Sequence, residues 1–290
     1  TNDFDFYGNF KYVYTVNSVQ SIQTEDHALI PYKVYRSSNT YKSMNATAIK
    51  FVGVLDGDGH KISRVRYGLF FGNYGVIRNL TIKGEETSAN PFTAYCDNKN
   101  YSWTGNILML RTGTVSADNY GIIDSVAIEG ARYSSHTVYS HSKETEYKEN
   151  REYPGGGISA INYGLIKKCQ IDATLRGTRC GGISYTNNGT IYGCSTEGTI
   201  NGAPETTQFK GYSYNFISQT AGIAYTNAGT VEQCYAGMTI LGHVACYSSG
   251  NDDDGRYGTY AAKGASVVYS NSGTVKNCSS GGFITLTDNS

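Results

Sequence analysis

The side chains best suited to chemistry in this 290-residue chain are gathered in four stretches, residues 85–113, 131–156, 203–220 and 243–263. The first holds Tyr95, Tyr101 and the only tryptophan, Trp103. The second holds Tyr133, Tyr139, Tyr147 and Tyr153, with His136, His141 and a charged run at 143–146. The third holds Phe209, Tyr212, Tyr214 and Phe216. The fourth holds Tyr247, Tyr257 and Tyr260 around Asn251-Asp252-Asp253-Asp254-Gly255. Tyrosine among Ser, Gly and Asn suits recognition, because a large amphipathic ring gives contact area at low entropic cost. The same rings can stack on sugars. Tyr101, Trp103, Tyr139, Tyr212, Tyr214 and Tyr257 are therefore the expected ligand contacts. The competing expectation is that these aromatics pack the stretches onto the body of the protein, and both can hold at once.

Catalytic signatures are missing. The sequence has no His-Glu-x-x-His, no Gly-x-Ser-x-Gly, no Walker loop and no dinucleotide fingerprint. Asp252, Asp253 and Asp254 lack the alternate spacing and terminal Glu of a calcium loop and read as a solvated tip. Asp56-Gly57-Asp58-Gly59, between expected strands at 49–55 and 61–65, reads as a tight turn. Polysaccharide cleavage needs carboxylates converging on one face. The candidates Asp118, Asp124, Asp172 and Glu197 are expected not to share one repeat position, so they nominate no pair. No enzyme activity, metal or cofactor is expected.

The elements that position these stretches come from a phrase used six times: Asn, any residue, Gly, an aliphatic residue two further on, and a small apolar residue three beyond that. The asparagines are Asn73, Asn119, Asn162, Asn187, Asn227 and Asn271, separated by 46, 43, 25, 40 and 44 residues. The aliphatic positions are Ile77, Ile123, Ile166, Ile191, Val231 and Val275. The last positions are Leu80, Val126, Cys169, Cys194, Cys234 and Cys278. Apolar and polar residues alternate with the strand period of two. Gly and Asn punctuate each run, where a tight turn needs positive φ. The 25-residue spacing is one coil of three short strands and three turns, and a single coil cannot bury its inner face, so coils must stack.

The expected fold is all-β: a three-sided, right-handed parallel β-helix of about six or more coils, forming a single domain over residues 1–290. Residues 1–66 are expected to supply lead-in and capping coils, and residues 67–287 the repeat coils. The surplus residues all enter at one corner, so the four stretches project from one flank, with a gap at the 25-residue spacing. The asparagines should form an amide ladder at a buried corner. Cys169, Cys194, Cys234 and Cys278 should form a column of free buried thiols, because parallel neighbours give poor disulfide geometry. Cys96, Cys180 and Cys246 lie outside that column, and a Cys96–Cys246 bond stays open.

Charge narrows the classes of partner. The 24 basic and 24 acidic side chains cancel, which removes the usual footprint for nucleic acid or anionic lipid. No apolar run is long enough to span a membrane. The opening residues 1–6 read like the middle of a structured segment, as expected of an excised or processed product.

Residues 181–202, Gly-Gly-Ile-Ser-Tyr-Thr-Asn-Asn-Gly-Thr-Ile-Tyr-Gly-Cys-Ser-Thr-Glu-Gly-Thr-Ile-Asn-Gly, resemble the GLUG-motif repeat of bacterial surface proteins. Residues 221–240 and 266–284 are nearly as similar. Residues 51–62, with Asp56-Gly57-Asp58-Gly59-His60, look like the lead-in to such repeats, and residues 67–84 like the first of them. The resemblance covers about residues 45–287. It implies a β-helical fold and a place in secreted adhesins or in the non-catalytic regions of immunoglobulin A-cleaving peptidases. It supplies no catalytic residues. The long Tyr-rich stretches depart from the usual pattern. The expected function is a non-enzymatic extracellular or cell-surface module, a rigid rod presenting Tyr-rich loops to a protein or glycan of a host or neighbouring cell. The alternatives are a self-assembling filament or layer subunit, with residues 285–290 as a weak cap or docking edge, and a polysaccharide lyase or hydrolase.

Overall fold

The computed structural model describes residues 4–5, 10–16, 19–25, 50–65, 69–84, 112–131, 137–138, 151–152, 155–176, 179–202, 214–247 and 262–288. Among them there is no helix. The chain is an all-β parallel solenoid, and each pass of the repeat contributes to three sheets in turn. A five-stranded sheet stacks Thr112–Gly113, Gly155–Gly156, Arg179–Gly181, Gln219–Ala221 and Lys263–Ala265. A seven-stranded sheet stacks Lys50–Phe51, Phe70–Asn73, Ser116–Asn119, Ser159–Asn162, Ser184–Asn187, Ala224–Asn227 and Val268–Asn271. A sixteen-stranded sheet takes the remainder of each pass, as in Leu165–Lys167 followed by Gln170–Arg176.

The register follows the phrase. Asn73 faces Asn119, then Asn162, Asn187, Asn227 and Asn271. The aliphatic positions form the next column, and Ile77, Ile123, Ile166, Ile191 and Val231 are all fully buried. Leu69, Val115, Ile158, Ile183 and Ile223 complete the inner lining with the Leu80–Cys234 positions. Residues 50–65 already share this register, with Phe51 opposite Asn73 and Leu55 opposite Ile77.

The glycines of the phrase have a different cause from the one expected. None of them adopts positive φ. A Cβ on Gly164 would lie 2.1 Å from the carbonyl oxygen of Gly121, and one on Gly229 would lie 2.0 Å from that of Gly189. Glycine is required because successive coils approach too closely at this corner for any side chain. The left-handed turn sits later, at the residue before the small apolar position. Asn79, Ser125, Lys168, Gln233 and Asn277 have φ of 54°, 54°, 52°, 53° and 54°, and Gly193 has 61°. This bend redirects each strand within the sixteen-stranded sheet.

All surplus residues lie between a strand of the sixteen-stranded sheet and the next strand of the five-stranded sheet. Arg176 to Arg179 makes the one short link of this kind. Strands run into the margins of the expected insertions. Thr137–Val138 pairs antiparallel with Arg151–Glu152, and Tyr214–Ile217 pairs antiparallel with Thr239–Tyr247.

Candidate functional site

Tyr101, Trp103, Tyr139, Tyr212 and Tyr257 lie outside the described residues, as does Cys96. Tyr214 opens the strand Tyr214–Ile217 opposite Tyr247, and Cys246 stands opposite Asn215 in the same pair. The two ladders named from the sequence are fully placed, and both are scaffold.

In the amide ladder, Asn73 Nδ2 donates to Asn119 Oδ1 at 2.8 Å, and the pattern repeats to Asn162, Asn187, Asn227 and Asn271 at 2.7–2.8 Å. The second proton goes to a main-chain carbonyl, as from Asn162 Nδ2 to Thr190 O at 3.2 Å. Every donor points toward the C-terminal end. Asn73, Asn119, Asn162 and Asn187 are completely buried, so these bonds satisfy groups that have no water to turn to.

The cysteine column is a column of free thiols. Each thiol donates to the carbonyl two residues earlier: Cys169 to Lys167 and Cys234 to Glu232 at 3.3 Å, and Cys194 to Tyr192 at 3.5 Å. Cys194 is pushed well above the usual thiol range by its neighbour Cys169 and by burial. Cys234 is raised by Cys194 and by burial, and Cys278 chiefly by burial. Protonated, dry thiols are poor nucleophiles and poor metal ligands, so the column acts as small hydrophobes. Cys180 is buried in the five-stranded sheet.

A third column was not singled out from the sequence. The middle residue of Asn-x-Gly is Tyr74, Tyr120 and Tyr163 in the first three copies, then Asn188, Ala228 and Ser272. The three rings stack face to face at 4.5 and 4.6 Å, with planes 13° and 8° apart. They are 40%, 43% and 42% exposed. Lys50 Nζ covers the outer face of this stack, 4.6 Å from the Tyr74 ring. Because the faces meet one another, the column offers ring edges and hydroxyls to a partner. Loss of water around Tyr120, with the charge of Asp118 and the flanking tyrosines, pushes it up to about 12, so its hydroxyl stays protonated.

Beside this column, two residues on, runs the row Val54, Val76, Ile122 and Leu165, which then becomes Thr190, Thr230 and Thr274. Val54 and Ile122 are exposed, and Val76 and Leu165 half-buried. The two rows together make an aromatic and aliphatic strip on the N-terminal half of the solenoid. The signal was available in the sequence as the change of the middle residue from Tyr to small or polar.

The carboxylates need one correction. Asp172 and Glu197 do share a repeat position, and Glu129 joins them. All three stand ten residues after their Asn. Asp172 and Glu197 are exposed, and Glu129 is bound by Lys61 Nζ at 2.9 Å. Elsewhere charges alternate between coils: Asp56–Arg78 at 2.7 Å, Asp124–Lys167 at 3.1 Å and Glu232–Lys276 at 3.2 Å. Asp56 also accepts from Asn79 Nδ2 and from the main-chain N–H of Asp58, and these bonds, with Arg78, hold its carboxyl below the usual range. The Asp56–Gly59 segment is thus a turn stapled to the next coil. Among the described residues, no group of three or more His, Cys, Asp or Glu is placed to hold a metal ion.

No family model, curated protein or solved structure matches the chain. Among the described residues, no helix is long and apolar enough to cross a membrane.

Proposed function

We propose that this chain is a non-enzymatic module of a bacterial surface protein, exposed outside the cell, in which a rigid solenoid presents aromatic contacts to a protein or glycan of a host or neighbouring cell. The observation that carries this reading is the half-exposed column Tyr74–Tyr120–Tyr163 beside Val54, Val76, Ile122 and Leu165. The later coils have Asn188, Ala228 and Ser272 at this position and stack a different column, Tyr185–Tyr225–Tyr269, two residues before their asparagines, with Tyr225 buried, so the exposed column is peculiar to the first three coils. Contiguous exposed apolar surface rimmed by polar residues marks interaction sites, and tyrosine is favoured there. The continuous amide ladder favours stiffness, which suits presentation at a distance. Tyr101, Trp103, Tyr139, Tyr212, Tyr214 and Tyr257 remain the proposed second contact region.

Labelled protein is to be measured for binding to host cells and to immobilised glycans. Tyr120→Ser with Tyr163→Ser is expected to weaken binding at least about tenfold, the effect of losing one or two anchor residues. Unchanged binding in that variant and in one lacking the six other aromatics would end the adhesive reading.

One observation favours a second reading, polysaccharide cleavage. Asp172 and Glu197 are paired at one repeat position on adjacent strands and both are exposed, and two neighbouring carboxylates are what glycoside hydrolysis requires. Cleavage of any polysaccharide in a substrate panel, abolished by Asp172→Asn or Glu197→Gln, would replace adhesion with catalysis.

A further inference from the structure

The tyrosine column stops where the repeat does not. Asn188 stands where a fourth tyrosine would, and its main chain keeps the geometry of the coil before it. Tyr163 donates its main-chain N–H to Asn119 O at 2.7 Å, and Asn188 donates to Asn162 O at 2.7 Å. Asn187 pairs with Asn162, and Thr190 with Leu165, in unbroken register. Only the side chain changes. An asparagine amide ends level with the root of a tyrosine ring, so the outer part of the Tyr163 ring overhangs a notch. Ala228, one coil further on, is shorter still, and Asn188 and Ala228 are both exposed. The main chain at this corner is closely packed, since a Cβ on Gly189 would lie 2.2 Å from the Gly164 carbonyl oxygen. The notch is therefore preformed, and a ligand need not order it. It lies between the seven- and sixteen-stranded sheets, a different corner from the one at which the long stretches enter.

Along its length the column shows ring edges, but its end shows a face. The inner ring faces meet one another at 4.5 and 4.6 Å, and Lys50 Nζ covers the outer face of Tyr74. The C-terminal face of Tyr163 carries no ring or cation among the described residues. Beside it stand the Asn188 amide and the half-buried Thr190 and Thr230, whose side chains have no hydrogen-bond partner among the described residues. No residue of 186–190 or 226–230 is charged. The notch thus offers one aromatic face, an amide that can both donate and accept, and two hydroxyls.

A pyranose ring with equatorial hydroxyls matches this set. Its axial C–H bonds carry slight positive charge toward the negative face of an aromatic ring, and its rim of hydroxyls pairs with the amide and the threonines. An aromatic side chain of a partner protein would stack but offers nothing to those polar groups, and a cation finds no counter-charge. The geometry points to a binding site for one pyranose of a glycan, its C–H face on Tyr163 and its hydroxyl edge on Asn188 and Thr190. The inference rests on the reading of the tyrosine column as a contact surface, and it narrows the partner to a glycan.

Titration of the intact chain with methyl β-glucoside, methyl β-galactoside and methyl N-acetyl-β-glucosaminide, followed by saturation-transfer NMR, tests this. At least one is expected to bind, with the strongest transfer to its axial ring protons. Asn188→Tyr fills the notch with a fourth ring and leaves Tyr74, Tyr120 and Tyr163 in place. It is expected to weaken sugar binding at least about tenfold while the β-sheet circular dichroism is retained. Asn188→Ala, which removes the amide and leaves the notch open, is expected to weaken it about fivefold. Binding of none of the three glycosides overturns the inference. So does cell attachment that Asn188→Tyr leaves intact, the result expected of a partner protein gripping the ring edges, and adhesion then stands without the sugar site. Glycoside binding that Asn188→Tyr abolishes, in a chain that attaches to no cell, upholds the notch and counts against adhesion.

Discussion

The coils that begin at Asn73, Asn119 and Asn162 and those that begin at Asn187, Asn227 and Asn271 share one interior and have different exteriors. Inside, the amide ladder runs without a break through both halves, and the aliphatic column stays buried from Ile77 to Val231. Outside, Tyr74, Tyr120 and Tyr163 give way to Asn188, Ala228 and Ser272, and Val76, Ile122 and Leu165 give way to threonines. The interior is therefore under a stacking constraint that the outer rows escape. Residues of the inner columns specify the fold, and the outer rows are where the two halves acquire different surfaces.

Substitutions can break or sharpen that contrast. The largest effect is expected at the glycine corner. Gly164→Ala puts a Cβ about 2.1 Å from the Gly121 carbonyl oxygen, and main chain on both sides cannot yield. A loss of about 4 kcal/mol or more is expected in denaturant unfolding, at the exceptional end for a single substitution. Tyr163→Ser, at the adjacent residue on the outer row, is expected to cost about 1 kcal/mol or less.

Next comes the amide ladder. Asn162→Leu strands a donor on Asn119 and an acceptor on Asn187, both completely buried, and is expected to cost about 2–5 kcal/mol. Asn271→Leu, at the exposed end of the same ladder, strands only the Asn227 donor and should cost less, about 1–2 kcal/mol. Equal effects at the two positions would show that the ladder does not act through burial.

The thiol column gives a pH signature confined to the later coils. Cys194 and Cys234 are raised in the folded protein, so the folded state holds their protons after unfolded thiols ionise above about pH 8.5. Their contribution is full below that pH and is lost as pH rises, by about 1.4 kcal/mol per pH unit for each thiol. Replacing both by valine, the residue at Val126, should flatten the alkaline limb. Thiol labelling should reach Cys278, the half-buried end of the column, before Cys194.

The smallest effect is at the left-handed bend. Lys168 pays the usual cost of positive φ for a residue with a Cβ, so Lys168→Gly is expected to gain about 1 kcal/mol. Gly193→Ala, one coil on, should lose a similar amount in thermal unfolding.

The inner columns were legible because each recurs six times with its spacing from Asn unchanged. The parallel all-β architecture followed from that alone. The reason for Gly164 and its equivalents was not legible, since close approach between coils exists only once they are stacked, and a positive-φ turn has the same glycine signature. The tyrosine column was in plain sight as the middle residue of the phrase. Its meaning depends on that residue facing outward, which alternation does not decide at a corner. Asp172 and Glu197 align only when counted from their own asparagines, past a bend that interrupts the strand period. Tyr101, Trp103 and the other aromatics of the long stretches belong to no repeat, so no column fixes their positions.

The central claim is that the interior carries the fold and the outer row of the first three coils carries the function. Exchanging Tyr74, Tyr120 and Tyr163 for Asn, Ala and Ser, the residues of the later coils, tests it in one protein measured for both unfolding and binding. The predicted result is an unfolding free energy within about 1–2 kcal/mol of wild type together with loss of cell or glycan binding. Retained binding, or collapse of the fold, would contradict it.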